Sequence, residues 1–297
     1  MLINLLKLLK FVWTHPINRN SRFKAIFRVI RFQISSRILN VPFLVPFVND
    51  TFLFTKKGMT GATGNLYCGL SEYSDMGFVL HTLQPGDLFV DIGSNIGSYS
   101  ILAASCRDVD VISVEPIPTT FSWLQKNIKI NNFEKKICAM NIGLAEIKGS
   151  IKFSSNFDTI NHVLSNDEKD SSAVDVNVST LDEILKEKFP IIIKIDVEGY
   201  ESKVLDGAKN IINNPSLIAI IIELNGSGKR YGIEDSNIHK FLTSKGFNSF
   251  KYSPHTYQLE SLNNQINEIS NTLYIRKLDN VKKRISRKLT FSLGIEK

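Results

Sequence analysis

Cysteine is scarce in this sequence. There are three, Cys68, Cys106 and Cys138, far apart and without a CxxC pair. An odd, scattered set of thiols argues against a disulfide framework and a cysteine zinc site, and fits a reducing compartment. Long apolar runs are missing too. The opening MLINLLKLLKFVW is interrupted by Lys7 and Lys10, and no small-x-small cleavage site follows it. Neither a signal peptide nor a transmembrane helix is expected, so the expected setting is cytoplasmic. Acid is absent from residues 1–40, which hold eight Lys and Arg. Residues 276–297 carry a further net +6, which leaves −7 for residues 41–275 out of +7 for the whole chain. The basic character therefore belongs to the two ends. Basic ends suggest an anionic partner, and the acidic body argues against a nucleic-acid track across it. That points to peripheral membrane contact rather than to nucleic acid.

The N-terminal forty residues read as two helices. Leu2, Leu5, Leu6, Leu9 and Val12 fall at helical spacing, as do Phe23, Ile26, Phe27, Ile30, Ile34 and Ile38, with the turn signal THPINRNS between them. Such basic amphipathic helices pack either on the body of the protein or on a membrane surface. VPFLVPFV is not helical, because Pro42 and Pro46 break it, and reads as a linker. A strand at TFLFT and a glycine-rich loop with Asn65, Tyr67 and Glu72 follow. The expected divisions are a helical extension over 1–48, a main domain over 49–280 and a basic tail over 281–297.

From residue 83 onward, strands rich in Ile and Val alternate with helices of about 12 residues. Strands are expected at Leu88–Asp91, Val111–Glu115, Cys138–Ile142, Ile191–Asp196 and Leu217–Glu223, with a last one at NTLYI. Helices are expected near 98–105, 119–131, 201–212 and 235–245. Residues 146–180 read as an insertion, and the Asn/Ser-rich stretches 154–172 and 261–272 as loops. The pattern predicts an α/β fold, a doubly wound and mostly parallel sheet.

GDLFVDIGSNIGSYSILAA, residues 86–104, is strand, turn and helix, with Asp91 closing the strand. Its glycines, Gly93 and Gly97, do not have the dinucleotide spacing G-x-G-x-x-G, and no Gly-Lys-Ser/Thr follows for a P-loop. A diphosphate would be repelled by Asp91, whereas the ammonium or sulfonium of S-adenosylmethionine would be attracted. Glu115 ends the second strand 24 residues on and suits a pair of ribose hydroxyls. Asn95 lies in the turn between the glycines. Asn141, at the end of the third strand, is placed to reach the adenine. These residues form the expected cofactor site.

The run IIIKIDVEGYESKVLDGA is apolar on both faces, as a central strand is. Asp196 and Glu198 end it on one side, and Lys194 shares that face. A buried lysine needs an acid, and Asp196 or Glu223 could supply one. Methyl transfer to a hydroxyl needs alignment and removal of a proton. Asp196 and Glu198 are candidates for both, and His162, His81 and His255 are alternative bases. His162 is favoured because its segment TINHVL could cover the cleft. Asp196, Glu198 and Glu223 could alternatively hold a divalent metal through oxygen ligands.

Together, GDLFVDIGSNIGSYSILAA, VISVEPIPTTFSWLQKNI, STLDEI, IKIDVEGYESKVLDGA and IIIEL resemble the FkbM family of methyltransferases over roughly residues 60–275. GATGNLYCGLSEYSDMGF is similar to a segment of bacterial members. The resemblance implies a seven-stranded Rossmann-like fold and S-adenosylmethionine as cofactor. It also implies O-methylation of a saccharide, glycan precursor or secondary metabolite. By position it places Asp91, Gly93, Gly97 and Glu115 at the cofactor and Asp196 and Glu198 at the acceptor. Ser94 stands where the family often has alanine. The competing readings are an NAD-dependent oxidoreductase on the same fold and a non-catalytic protein that binds through its basic ends.

Overall fold

The computed structural model describes residues 2–154, 162–164, 173–268 and 270–296. Two helices open the chain, α1 (Leu2–Thr14) and α2 (Arg22–Leu39). The strands β1 (Phe43–Pro46) and β2 (Phe52–Thr55) follow, then the helices α3 (Thr60–Cys68) and α4 (Tyr73–Thr82). Strand and helix next alternate through β3 (Leu88–Ile92), α5 (Ser98–Ala104), β4 (Asp110–Val114), α6 (Pro118–Ile130) and β5 (Ile137–Met140). A small sheet interrupts, made of β6 (Gly143–Leu144), β7 (Gly149–Phe153) and β8 (Val174–Ser179), and α7 (Leu181–Leu185) leaves it. The alternation resumes with β9 (Ile192–Ile195), α8 (Glu201–Asp206), α9 (Lys209–Asn213), β10 (Ala219–Ile222) and α10 (Asp235–Ser244). The last elements are β11 (Asn248–Ser253), β12 (Gln258–Ser261), β13 (Thr272–Ile275) and α11 (Leu278–Ile285).

The main sheet has eight strands in the order β12-β11-β13-β10-β9-β3-β4-β5. Pairing is parallel from β10 to β5 and antiparallel where β13, β11 and β12 are added. Seven of these strands make the expected doubly wound sheet, and β12 extends its edge by pairing with β11. Successive residues serve opposite faces, as the pleat requires. Phe89, Val111, Ile192 and Ile221 enter one core, and Val90, Ile112, Ile193 and Ile220 the other. Burial on both sides is why β9 and β10 are written almost wholly in isoleucine.

Several expectations are corrected. VPFLVPFV is not a linker throughout, because Phe43–Pro46 pairs antiparallel with Phe52–Thr55. Proline forbids a helix there but is tolerated in a two-stranded ribbon. The glycine-rich segment is helical, since Tyr67 and Cys68 of α3 are buried against α2. The expected helix over 201–212 breaks at Gly207, where a Cβ would overlap the Ala145 carbonyl oxygen. The β1–β2 hairpin straddles residue 48, and α11 runs across residue 281 with Val281 and Ile285 buried. Most of the loop expected at 154–172 lies outside the described residues.

The extension is docked on the body; Leu9 and Val12 of the α1 stripe take part, but of the α2 stripe that periodicity singles out only Ile26 does. Ala25, Val29, Phe32 and Ser36 of α2 are buried. Phe23, Phe27, Ile30, Ile34 and Ile38 point the other way and are exposed. Asn18 pins the arrangement from the turn between the helices. It is fully buried, donates to the Val12 carbonyl (3.0 Å) and the Tyr67 carbonyl (3.3 Å), and accepts from Arg28 (2.9 Å).

Candidate active site

Strand order reverses between β3 and β9: the chain runs outward from β3 to β4 and β5, then returns on the other side of β3. In open α/β sheets a crevice forms beyond the carboxyl ends of the strands at such a point. Here a cavity of about 550 Å³ lies there, within the range of small-molecule sites. Asp91, Glu115, Lys194, Asp196, Glu198 and Glu223 all line it.

Asp91 is 1% exposed. Its Oδ2 accepts the Ser100 hydroxyl at 2.6 Å, and Ser100 in turn meets the Ser113 hydroxyl at 2.6 Å. Its Oδ1 is buried and has no hydrogen-bond partner. Burial pushes the carboxyl up to about 6, against the opposing effects of Lys194 and the Ser100 hydroxyl. Leaving a buried carboxylate oxygen unpaired is costly, and a cationic ligand group would remove that cost. Glu115 is held from two sides: Oε2 accepts the Asn95 amide and Oε1 the Ile117 amide, each at 2.9 Å. Burial raises it to about 7, opposed by those two amides. Each oxygen keeps a lone pair for a hydroxyl donor.

On the next strand, in register with Asp91, Lys194 Nζ stands 2.6 Å from Asp196 Oδ2 and 4.8 Å from the centre of the Tyr99 ring. Burial opposes its charge, yet Asp196, Glu72 and Asp91 together raise its pKa. Asp196, Glu198 and Glu223 bring carboxylate oxygens within 4.8 Å of one another, the three acids that the sequence offered as metal ligands. Burial, then the charges of Asp196 and Glu201, push Glu198 up to about 7. Glu223 is raised by burial and then by the charges of Asp196 and Glu198.

Gly97, Asn141, His162 and the alternative bases His81 and His255 are not among the residues lining the cavity. Gly97 begins α5 with φ +90°, and a Cβ there would meet Leu124, so it serves packing against α6. Asn141 donates to the carbonyls of Glu115 (2.9 Å) and Pro116 (3.0 Å), which braces the β4 loop instead. His162 is buried beside Ser154, whose hydroxyl oxygen accepts its amide at 3.0 Å. His81 packs on Tyr252 and Tyr257 within the core. Gly93 does line the cavity, but its Cβ position is taken by the Asp196 carbonyl oxygen. Its φ of +73° and missing side chain let the β3 and β9 ends touch. Gly199 is likewise explained by the Ser227 backbone, 2.6 Å from where a Cβ would stand.

Other residues of the site carry no motif. Glu72 lines the cavity and accepts from the Tyr99 hydroxyl (2.8 Å) and the Asn271 amide (2.7 Å). Glu201 holds the loop after β9 by accepting the amides of Val197 (3.2 Å) and Gly199 (3.1 Å). Ser94, the departure from the family pattern, presents a buried hydroxyl without a partner to the same cavity.

A family model, the methyltransferase FkbM domain, matches residues 91–249, more than half of the chain and the whole arc from Asp91 to Glu223. The chain belongs to the FkbM methyltransferase family. Among curated proteins it is similar to the hexuronic acid methyltransferase AglP of Haloferax volcanii, 25% identical over 170 residues, 56% of this chain and 65% of AglP. It is also similar to the methyltransferase sdnD of Sordaria araneosa, 24% identical over 170 residues, 46% of this chain and 65% of sdnD. Both alignments span just under two thirds of those relatives' own length. Among solved structures, methyltransferase FkbM from Methylobacillus flagellatus KT aligns over 83% of this chain and 59% of its own, with 16% identity and a TM-score of 0.42.

Proposed function

We propose that this FkbM-family protein is an S-adenosylmethionine-dependent O-methyltransferase acting on a hydroxyl of a saccharide, glycan precursor or secondary metabolite. One observation carries the cofactor reading: the buried, unpartnered Oδ1 of Asp91 at the cavity wall. An α-ammonium is the ligand group that such an oxygen accepts from. Glu115, on the neighbouring strand, accepts ribose hydroxyls with the lone pairs that its two amides leave open. Bound in this way, S-adenosylmethionine supplies an electrophilic methyl group.

The acceptor end is the acidic cluster. Glu198, raised to about 7, takes the proton of the acceptor hydroxyl, a pKa suited to a base near neutral pH. Lys194 fixes the Asp196 carboxylate, which leaves Asp196 to orient the acceptor. The saccharide class is supported by the acceptor in the name of the relative AglP.

Calorimetric titration with S-adenosylhomocysteine, with NADH as control, tests the reading. Asp91→Asn and Glu115→Ala are each expected to weaken binding about 10- to 100-fold, the worth of a hydrogen bond to a charged group. A folded protein that does not bind S-adenosylhomocysteine, or that binds NADH instead, overturns it.

A further inference from the structure

The helix α2 is apolar on two opposite sides. Ala25, Val29 and Phe32 close against Tyr67 and Cys68 of α3. Phe23, Phe27, Ile30, Ile34 and Ile38 form a second stripe, at steps of four and three residues, and are 48–81% exposed. Leu5, Leu6 and Trp13 of α1 are exposed as well. Trp13 joins the two helices outside the body: its ring lies 5.4 Å from that of Phe23, and the Arg22 guanidinium stands 5.4 Å above it. Contiguous apolar surface of this kind on a folded domain marks a contact site.

The charge around the stripe selects the partner. Lys7, Lys10, Arg22, Lys24 and Arg31 are exposed, and residues 1–40 contain no acid. A second copy of the chain would bring like charges face to face. An anionic bilayer instead takes the apolar stripe into its headgroup boundary and the cations onto its phosphates. Tryptophan is at home at that depth. Among the described residues no helix is long and apolar enough to cross a membrane, so the contact is in-plane. The C-terminal bases do not share the role equally. Arg276 is spent on the Ile212 and Leu217 carbonyls, and Arg284 on Asp87.

We infer that the outer face of α1 and α2 docks the protein on an anionic lipid surface. Phe11 of α1 lines the cavity that holds Asp91 and Asp196, so the docked face and the cavity mouth are neighbours.

Cosedimentation of the full chain with phosphatidylcholine vesicles, with and without phosphatidylglycerol, tests this. The expected result is binding to the anionic vesicles at low salt that falls at high salt. The double variants Phe27→Glu/Ile34→Glu and Lys24→Glu/Arg31→Glu are each expected to lower the bound fraction about tenfold or more. Their thermal melting should match the parent, because the changed side chains lie on the outer face. Absence of binding to anionic vesicles at low salt overturns the inference, as does equal binding by folded variants. A concentration-dependent dimer that Phe27→Glu/Ile34→Glu abolishes, with no vesicle binding, would assign the face to a second copy instead.

Discussion

Lys194 and Asp196, two residues apart at the end of one central strand, close an ion pair of 2.6 Å with the lysine 4% exposed. The lysine is the charge that makes the acidic end of the cavity tenable, because Asp91, Glu72 and Asp196 all act on it. Lys194→Met removes one partner of a buried pair and leaves carboxylates facing one another. Such losses cost about 3–5 kcal/mol. Urea unfolding should show a drop of that size, and an unchanged midpoint would mean that the acids are neutralised otherwise.

The two glycines of the β3 turn should respond differently to alanine. Both have positive φ, which costs an L-residue about 1–2 kcal/mol. At Gly93 the added Cβ also runs into the Asp196 carbonyl, a backbone atom that cannot swing away. At Gly97 it meets the end of the Leu124 side chain, which can. Thermal melts should show Gly93→Ala well below Gly97→Ala, and S-adenosylhomocysteine binding should suffer more in the first. Equal losses would contradict the roles assigned to them.

Activity should rise with pH through about 7. Glu198 is held there by burial and by the charges of Asp196 and Glu201, and only its ionised form accepts a proton. The limb therefore lies on the acid side, with a plateau above it. Glu198→Gln should flatten the limb in kcat/KM and lower the rate about 10²- to 10⁴-fold, the usual worth of a general base. A limb that survives in the variant belongs to another group.

Asn18 is a stability hot spot with no part in the cavity. Asn18→Ala removes one hydrogen-bond partner from the half-buried Arg28 and one from each of the Val12 and Tyr67 carbonyls, and should cost about 1–3 kcal/mol. Limited proteolysis should then cut between α1 and α2 faster than in the parent. An unchanged digestion pattern would mean that the helices hold without it.

What the sequence made legible has a physical pattern. A strand buried on both faces spells itself out, so Ile192–Ile195 and the acids that end it could be read directly. Asp91 and Glu115 follow the same logic, one carboxylate at the end of each neighbouring strand. Gly93 was noticed for its turn, but its reason is Asp196, about a hundred residues away, and no local pattern carries that. Helical periodicity located α2 and gave a stripe, yet it does not say which side the body occupies. Ala25 and Ser36 allow the close approach, with Val29 and Phe32 filling the interface. Gly61 and Gly64 disguise α3 as a loop in the sequence; its contact with α2 makes it a helix. Glu72 and Tyr99 belong to the cavity only because α4 and α5 are brought together, and His162, buried beside Ser154, is not among its lining residues.

Phe11 ties the extension to the cavity more closely than a tether would. Cutting away residues 1–40 would remove part of the cavity wall and lay bare Tyr67 and Cys68, which α2 covers. If the outer face docks on lipid as inferred, recruitment and turnover would be built from the same piece of chain, and truncation would not separate them. Point changes on the outward stripe would then be the way to release the protein from a surface while leaving the pocket whole. A chain seated there would also search for its acceptor by lateral diffusion in two dimensions, at an effective concentration set by the surface rather than by the bulk volume.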